Sequence, residues 1–267
     1  MRNHLWLIPA LAAAVAVAGC GKEQMPGTTA ADQRPRTPGG SPAGSALTPA
    51  DLDRVRPAAQ PLKLALVVKT RNNPFFDPMI RAAEAEAKAL GVELEVQSPA
   101  QETDKEQQFA IVQNVAATGI KALLVTPADS RGIVPALKQA VQRGAIVVNL
   151  DNRVDAEAAR AAGLELAAYV GADNEAGGRL AGEEMVKALG GKGRVAILEG
   201  IRGADNAEAR RRGFQSAVQG KLEVVSRESA EWDTAKAYAK FQSVLAAHKD
   251  LDGVFCANDK MALGALK

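Results

Sequence analysis

Apolar and polar positions along the chain follow two alternating patterns from residue 61 onward. Short, nearly continuous apolar runs predict buried strands. Between them, apolar residues recur at three- and four-residue spacing, which predicts amphipathic helices. The predicted strands are 64–68, 92–96, 122–125, 146–150, 166–170, 194–198, 222–225 and 253–256. Strands that are separated by helices pair in parallel, so the pattern predicts the α/β class with sheets covered on both faces.

The distribution of these strands predicts two doubly wound parallel-sheet lobes. Five strands precede residue 172 and three follow it, which indicates an N-terminal lobe over 61–172 and a C-terminal lobe over 173–267. In sheets of this kind, ligands bind beyond the carboxyl ends of the strands. The residues that directly follow the strands are therefore the candidates for function.

The first 19 residues have the composition of a secretory signal peptide. A positive start at Arg2 precedes an apolar stretch over 5–18, which is short for a membrane span. The stretch ends in the letters VAGC at Cys20, and small residues before a cysteine are typical of a bacterial lipobox. We expect Cys20 to be cleaved at its amino side and lipidated. The alternative is an ordinary secretory signal in which this cysteine is incidental.

Residues 20–60 are expected to form a disordered tether that starts at the lipidated Cys20. Residues 21–60 hold six of the chain's 13 prolines and almost no large apolar side chains. Such a segment cannot bury enough surface to offset the entropy lost on ordering. It would hold the folded lobes away from a membrane.

Charge and composition exclude several classes of function. The net charge of +2 gives no indication of a nucleic-acid partner. The chain has two histidines and two cysteines, too few and too scattered for a metal centre or a disulfide framework. Dinucleotide, phosphate-loop and nucleophile-elbow motifs are absent from the sequence. We therefore expect no cofactor and no enzymatic activity.

The stretch TRNNPFFDP, directly after the first predicted strand, is the first candidate site. In one interpretation, Asn73 caps a helix that starts at Pro74, and both phenylalanines belong to the core. Neighbouring residues on a helix point about 100° apart, however, so Phe75 and Phe76 cannot both face one core. At least one ring is expected to face the space beyond the sheet.

Other strand ends carry polar or aromatic residues with two interpretations each. Asp151 is either a turn former or a carboxylate that accepts hydrogen bonds from hydroxyls. Three arginines, 210–212, open a helix. They either form a solvated basic face or, because at about 100° per residue they cannot all point the same way, one of them reaches a cleft while the others face water. Trp232 flanks a helix and belongs either to the core or to a site. Asn258 is either a helix cap or a ligand-binding amide.

Four motifs together resemble the ribose-binding-protein group of periplasmic sugar-binding proteins. They are LALVVKTRNNPFFDPM, GADNEAGGRLAGE, NAEARRRGFQSAV and FCANDKMALGAL. The resemblance extends from Leu62 to the C-terminus, in register through each strand–helix unit. It implies a type I periplasmic binding protein, the substrate-binding component of an ABC importer. Repressors that share this fold carry a DNA-binding head, which a lipobox and a tether replace here.

The resemblance also implies which side chains bind the ligand. It assigns rings that stack on a sugar, a carboxylate and an amide for its hydroxyls, and an arginine from the second lobe. The implied ligand-binding residues are Asn73, Phe75, Phe76, Asp151, Arg210, Trp232 and Asn258. A monosaccharide or related polyol is the implied ligand, and an importer permease is the implied partner.

The chain departs from the family pattern at three places. The family often has arginine directly after the strand-end aspartate, where this chain has Asn152 and then Arg153. Lys69 replaces a small polar residue of the family pattern. Lys69, Asn152 and Arg153 are therefore kept as possible ligand-binding residues. Family members also continue for several dozen residues beyond the position of Lys267. We therefore expect the sequence to be C-terminally truncated and the second lobe to be incomplete.

Three functions remain open from the sequence. The first is a lipid-anchored binding protein, in the periplasm or at the cell surface, that captures a monosaccharide for an ABC importer. The second is a receptor that presents the sugar to a kinase or chemoreceptor. The third is a Rossmann-like enzyme, which would need a dinucleotide motif or a catalytic base that the sequence does not display.

Overall fold

Two parallel β-sheets form the framework of the protein in a computed structural model that describes residues 6–9 and 62–267. The nine strands in these ranges are β1 (Trp6–Pro9), β2 (Lys63–Val67), β3 (Glu93–Gln97), β4 (Ala122–Val125), β5 (Ile146–Leu150), β6 (Ala168–Val170), β7 (Arg194–Glu199), β8 (Glu223–Ser229) and β9 (Gly253–Cys256). The first sheet has the order β3-β2-β4-β5-β6, and the second has the order β1-β9-β7-β8. Every pairing is parallel.

Helices connect successive strands and cover the sheets. The eight α-helices of the described ranges are α1 (Asp77–Leu90), α2 (Lys105–Ala117), α3 (Val134–Gln142), α4 (Ala156–Ala162), α5 (Asn174–Ala188), α6 (Asp205–Val218), α7 (Thr234–Ala247) and α8 (Asp259–Leu266). A 3₁₀ turn over Pro74–Phe76 leads into α1. Helix α1 ends at Gly91, which adopts the left-handed conformation that favours glycine.

Burial explains why the strands are apolar throughout. In the first sheet, Leu66 and Val67 are inaccessible to solvent on opposite faces of β2, because helices cover both faces. One side packs with α2 and α3, and the other packs with the turn at Phe76 and with Ile80 of α1.

The second sheet has its own apolar core. Phe214 of α6 stacks on Phe255 of β9 with ring centroids 4.3 Å apart, and the residues around this pair form one continuous buried cluster. Each sheet therefore supports a separate lobe, and residues 62–267 belong to one compact unit that contains both lobes.

The structure confirms the predicted α/β class with a parallel sheet in each lobe. All eight strands expected from the apolar runs are present. Six match their predicted bounds to within one residue, whereas β6 begins two residues later than predicted and β8 ends four residues later, at Ser229.

Strand β1 was not expected. The sequence predicts that Trp6–Pro9 belongs to a signal peptide outside the fold, whereas the structure pairs this segment with β9, with Trp6 opposite Gly253. The outer edge of β9 offers unpaired backbone groups, and an added strand satisfies them. The rest of the predicted signal peptide, the lipidation site at Cys20 and the tether over 20–60 lie outside the described residues.

Burial of Cys256 leads to a prediction about its reactivity. Desolvation raises the pKa of this thiol from 9.0 to about 12. The folded state therefore holds the neutral thiol, and the resulting stability is complete below pH 9 and is lost as the pH rises toward 12. In a Cys20→Ser variant at pH 8, we expect Ellman's reagent to label Cys256 only after urea is added. Rapid labelling without urea would contradict this burial.

Candidate functional site

A cavity of about 250 Å³ lies between the lobes, at the carboxyl ends of strands from both sheets. The N-terminal lobe contributes Lys69, Asn73, Pro74, Phe75, Phe76, Glu102 and Asp151, and the C-terminal lobe contributes Asn206, Arg210, Trp232, Asn258, Asp259, Lys260 and Leu263. Cavities for drug-sized ligands are roughly 300–1,000 Å³. The volume observed here suits a smaller molecule, and the mixture of rings and charged groups suits one with both apolar faces and polar edges.

The turn after β2 forms the aromatic wall of the cavity. Asn73 caps this turn: its Oδ1 accepts a hydrogen bond from the Phe75 backbone at 3.1 Å, and its Nδ2 donates to Glu102 Oε1 at 2.7 Å. The two rings meet edge to face, with centroids 5.1 Å apart. Phe76 is 1% exposed and Phe75 is 49% exposed. Both rings line the cavity, but Phe76 is packed in the core whereas Phe75 is half exposed, so at least one ring faces the space beyond the sheet, as their spacing predicted.

Replacing each ring with alanine should separate these two positions. Phe76→Ala is expected to lower the free energy of unfolding by about 3–5 kcal/mol, because it leaves a hole in the core beneath α1. Phe75→Ala is expected to cost less than about 1 kcal/mol, because half of its surface is already in contact with water. Urea unfolding of both variants measures the difference. Equal losses would show that Phe76 is not more deeply packed in the core than Phe75.

Asp151 and Lys69 form a charged pair on the wall beside the rings. Asp151 follows β5 in the left-handed conformation, with φ of 54°, which aspartate tolerates better than most residues. Its carbonyl accepts a hydrogen bond from the Tyr169 hydroxyl at 2.8 Å, so the backbone that carries the carboxylate is held in place. Lys69 is 2% exposed, and its Nζ lies 3.8 Å from Asp151 Oδ2. The pair brings a donor and an acceptor to the same wall.

Arg210 is the one residue of the three-arginine run that lines the cavity. Its Nε donates to Asn174 Oδ1 at 2.8 Å, and its Nη1 donates to the Ala257 carbonyl at 2.7 Å. Burial lowers the pKa of the Arg210 guanidinium, and the nearby carboxylates of Asp151 and Asp259 oppose this shift. The group stays charged, because even a lowered arginine pKa lies far above neutral pH. The hydrogen bonds to Asn174 and Ala257 hold the Arg210 guanidinium in place.

The other two arginines of the run point elsewhere. Arg211 bonds to Glu208 at 2.9 Å, and Arg212 reaches Glu175 at 3.2 Å on the outside of the lobe. This divergence is the result expected from about 100° of rotation per helical residue.

Trp232 forms the second aromatic surface, and its backbone is strained. Both Glu231 and Trp232 have positive φ angles, 52° and 64°. A bulky residue in this region costs about 1–3 kcal/mol and persists only where its surroundings hold it, often at a ligand site. The indole packs so closely on Gly200 that a Cβ at that glycine would lie 2.1 Å from the ring. The Arg210 guanidinium lies 5.6 Å from the ring centroid.

Asn258 serves as a helix cap and also lines the cavity. Its Oδ1 accepts a hydrogen bond from the Met261 backbone at 2.9 Å at the start of α8. The two interpretations of this residue are therefore compatible, because the cap fixes the amide at the cavity wall.

Asn152 and Arg153 do not line the cavity. Asn152 is fully buried, and its Nδ2 donates to the Pro127 carbonyl at 2.7 Å while its Oδ1 accepts from the Asn206 backbone at 3.0 Å. The Arg153 guanidinium lies 3.6 Å from the centroid of the Tyr169 ring. Successive side chains leave a strand end in different directions, so the position next to Asp151 faces the interior instead of the cavity. The structure thus places these two possible ligand-binding residues outside the cavity.

Six lining residues were not predicted from the sequence. They are Pro74, Glu102, Asn206, Asp259, Lys260 and Leu263. Asn206 carried a usable signal, because it precedes Arg210 by four residues and so shares its helix face. Glu102 carried none, since its contact with Asn73 joins residues that are 29 positions apart.

Neither a metal site nor a membrane-spanning helix is found in the described ranges. In 6–9 and 62–267, no three histidine, cysteine, aspartate or glutamate side chains are grouped so that they could hold a metal ion. The helices within those same ranges are too short or too polar to cross a bilayer.

Comparison with known proteins adds an independent result. The family profile described as "Periplasmic binding protein domain" matches residues 64–267. The D-ribose/D-allose-binding protein of Pseudomonas aeruginosa is 37% identical over 207 residues, which cover 76% of this chain and 65% of that protein. The ribose import binding protein RbsB of Escherichia coli is 38% identical over 205 residues, which cover 76% and 66%. The chain thus spans slightly less than two thirds of the length of these relatives.

A solved structure shows the same fold. The periplasmic solute-binding protein of an ABC transporter from Actinobacillus succinogenes, with bound D-allose, is 40% identical and superposes with a TM-score of 0.71 over 77% of this chain and 72% of that one. A family profile that matches most of the chain, relatives above 35% identity and a common fold agree with one another. The chain therefore belongs to the periplasmic binding protein family.

Proposed function

We propose that this protein captures a monosaccharide, or a related polyol, in the cavity between its lobes. The observation that carries the proposal is the meeting of Phe75 and Asp151 from one lobe with Arg210, Trp232 and Asn258 from the other around a single cavity. These residues come from five separate segments of the chain. Their convergence favours a binding site over coincidental packing.

The chemistry of the lining suits a sugar. A sugar ring has faces of C–H bonds, which aromatic rings such as Phe75 and Trp232 can cover. Its edge carries hydroxyls that both donate and accept, which suits the Asp151 carboxylate, the Arg210 guanidinium and the Asn258 amide. A hydroxyl that is buried without a partner costs about 1–3 kcal/mol, so the arrangement would reject sugars whose hydroxyls are misplaced. The names of the relatives, which include ribose- and allose-binding proteins, support the same ligand class.

Contacts from both lobes would couple binding to closure. A ligand that touches both walls binds the closed arrangement more tightly than an open one, and it shifts the population accordingly. We propose that an ABC importer permease recognises this closed form and receives the sugar. The relative named as a ribose import binding protein supports this transport role.

The proposed location is the periplasm or the cell surface. The leader over 1–19 and the VAGC letters that end at Cys20 support export and lipidation. Detergent phase partition of the expressed protein tests the lipid anchor. The wild type should enter the detergent phase, and a Cys20→Ser variant should remain in the aqueous phase. A wild-type protein that stays in the aqueous phase would count against the anchor.

Calorimetry on the 267-residue chain tests the proposed binding. The probes are D-ribose, D-allose, D-arabinose, D-xylose and D-galactose. At least one should bind and stabilise the fold by RT ln(1 + [L]/Kd), about 2.7 kcal/mol at 100 times Kd. Phe75→Ala should weaken that binding about tenfold or more, since the ring no longer covers the sugar face. The proposed site would be rejected if no sugar of the panel gave a binding heat. It would also be rejected if Phe75→Ala bound the sugar as tightly as the wild type.

A further inference from the structure

The side chain of Asn206 has a feature that its own local structure does not explain. Asn206 is 5% exposed and lines the cavity beside Arg210. Its Oδ1 is buried, and no hydrogen-bond donor in the described part of the chain reaches it. Buried side-chain oxygens are almost always bonded, because an unbonded one has lost its contact with water without compensation. An acceptor without a partner at a cavity wall indicates a ligand that supplies the donor.

The backbone of the same residue is held by the opposite lobe. Helix α6 has Ala204 at its N-cap position, and this residue provides no side-chain hydrogen bond to the helix. Two side chains of the N-terminal lobe bind its first N–H groups instead. Ser130 Oγ accepts from the Asp205 backbone at 3.0 Å, and Asn152 Oδ1 accepts from the Asn206 backbone at 3.0 Å. The start of α6 is therefore capped across the interlobe boundary.

Asn152 is itself rigidly placed. Its Nδ2 bonds to the Pro127 carbonyl at 2.7 Å and contacts Ser130 Oγ at 3.3 Å. This residue is fully buried, so few other arrangements are open to it. The bond to the Asn206 backbone thus holds α6 at a fixed distance from the N-terminal lobe, and with it the side chain of Asn206.

Trp232, another lining residue, also has a buried side-chain atom without a partner in the described ranges. Its Nε1 has no acceptor among the residues that the structure describes. An indole N–H only donates, whereas Asn206 Oδ1 only accepts. A hydroxyl-rich ligand can satisfy both kinds of group, while an apolar ligand would leave both unsatisfied.

We infer that Asn206 is a ligand-binding residue whose Oδ1 accepts a hydrogen bond from a hydroxyl of the bound sugar, and that Asn152 of the other lobe is the residue that positions it. The inference rests on the proposed function and adds to it. Recognition of one sugar hydroxyl then depends on the contact between the lobes. Asn206 selects for that hydroxyl only while the lobes are together, because opening breaks the hydrogen bond from the Asn206 backbone to Asn152 Oδ1.

Paired changes in the protein and the ligand test the contact. Asn206→Ala should weaken binding of the tightest sugar of the panel about tenfold, since one buried hydrogen bond is lost. The same variant should bind one monodeoxy analogue of that sugar within twofold of the wild type, because the missing hydroxyl has already removed the contact. Asn114→Ala replaces an exposed asparagine of α2 and is the matched control. It should leave every affinity unchanged.

A double-mutant cycle of Asn152 and Asn206 tests the positioning role of Asn152. Asn152→Ala should also weaken sugar binding in the wild-type background. When Asn206 is already alanine, the same change should alter the affinity by less than twofold. A purely structural role would give the same loss in both backgrounds and would overturn the positioning claim. Wild-type affinity in Asn206→Ala, or an equal loss for every deoxy analogue, would overturn the contact itself. A wild-type chain that binds no sugar overturns the proposed function and this inference with it.

Discussion

Arg210→Met is expected to weaken sugar binding at least about 100-fold and to lower the free energy of unfolding by about 2–4 kcal/mol. The guanidinium bonds to Asn174 Oδ1 and to the Ala257 carbonyl, so it joins α5 and α6 to the end of β9. Methionine fills a similar volume but leaves both acceptors without a donor. It also removes the positive charge near Asp151 and Asp259.

The two effects arise from different contacts and can be measured separately. Urea unfolding without ligand reports the loss of the bonds to Asn174 and Ala257. Calorimetric titration of the folded variant with sugar up to saturation measures the change in Kd, which reports the loss of the ligand contact. Arg212→Met, two positions along the same helix, is the matched control, because Arg212 is half exposed and pairs with Glu175. An exposed pair contributes only about 0–1 kcal/mol. Similar results for the two variants would show that Arg210 has no special place in the cavity.

Sequence periodicity was sufficient to predict the framework of both lobes. Runs such as 64–68 and 253–256 are apolar at every position because helices cover both faces of the sheets, so length and composition identify them as strands. The residues that follow the strands could also be selected as candidates for ligand binding, because parallel strands place their carboxyl ends at one edge of a sheet. This reasoning indicated that at least one of Phe75 and Phe76, and one of the three arginines 210–212, would reach a cleft, and the family resemblance then implied Arg210.

The parts of the site that could not be predicted depend on non-local contacts. Asn152 follows Asp151 in the chain, yet it points into the interior and binds the backbone of α6. No local pattern distinguishes that orientation from one that faces the cavity. Strand β1 is similar, since nothing in the sequence of Trp6–Pro9 specifies β9 as its neighbour. Glu102 enters the cavity only because Asn73 binds it across a long loop.

The packing of α5 against α6 leads to the second large effect. Gly178 and Gly213 bring the two helix backbones into direct contact. A Cβ at Gly178 would lie 2.0 Å from the Arg210 carbonyl oxygen, and a Cβ at Gly213 would lie 2.0 Å from the Glu175 carbonyl oxygen. Both obstacles are backbone atoms, so a larger residue can be accommodated only if one helix moves. Because α6 carries Asn206 and Arg210, such a movement also displaces the C-terminal wall of the cavity.

Gly178→Ala is therefore expected to lower the free energy of unfolding by about 3 kcal/mol or more, at the upper end of overpacking effects. The adjacent Gly177 is the matched control, since a Cβ there meets no atom within 4 Å. Gly177→Ala should stabilise the protein by about 0.5–1 kcal/mol, because alanine loses less conformational entropy in a helix. Urea unfolding of the two variants should thus shift in opposite directions. Sugar affinity should fall only in Gly178→Ala, because only that change moves α6. Shifts of the same sign would show that the helices are not in backbone contact at this crossing.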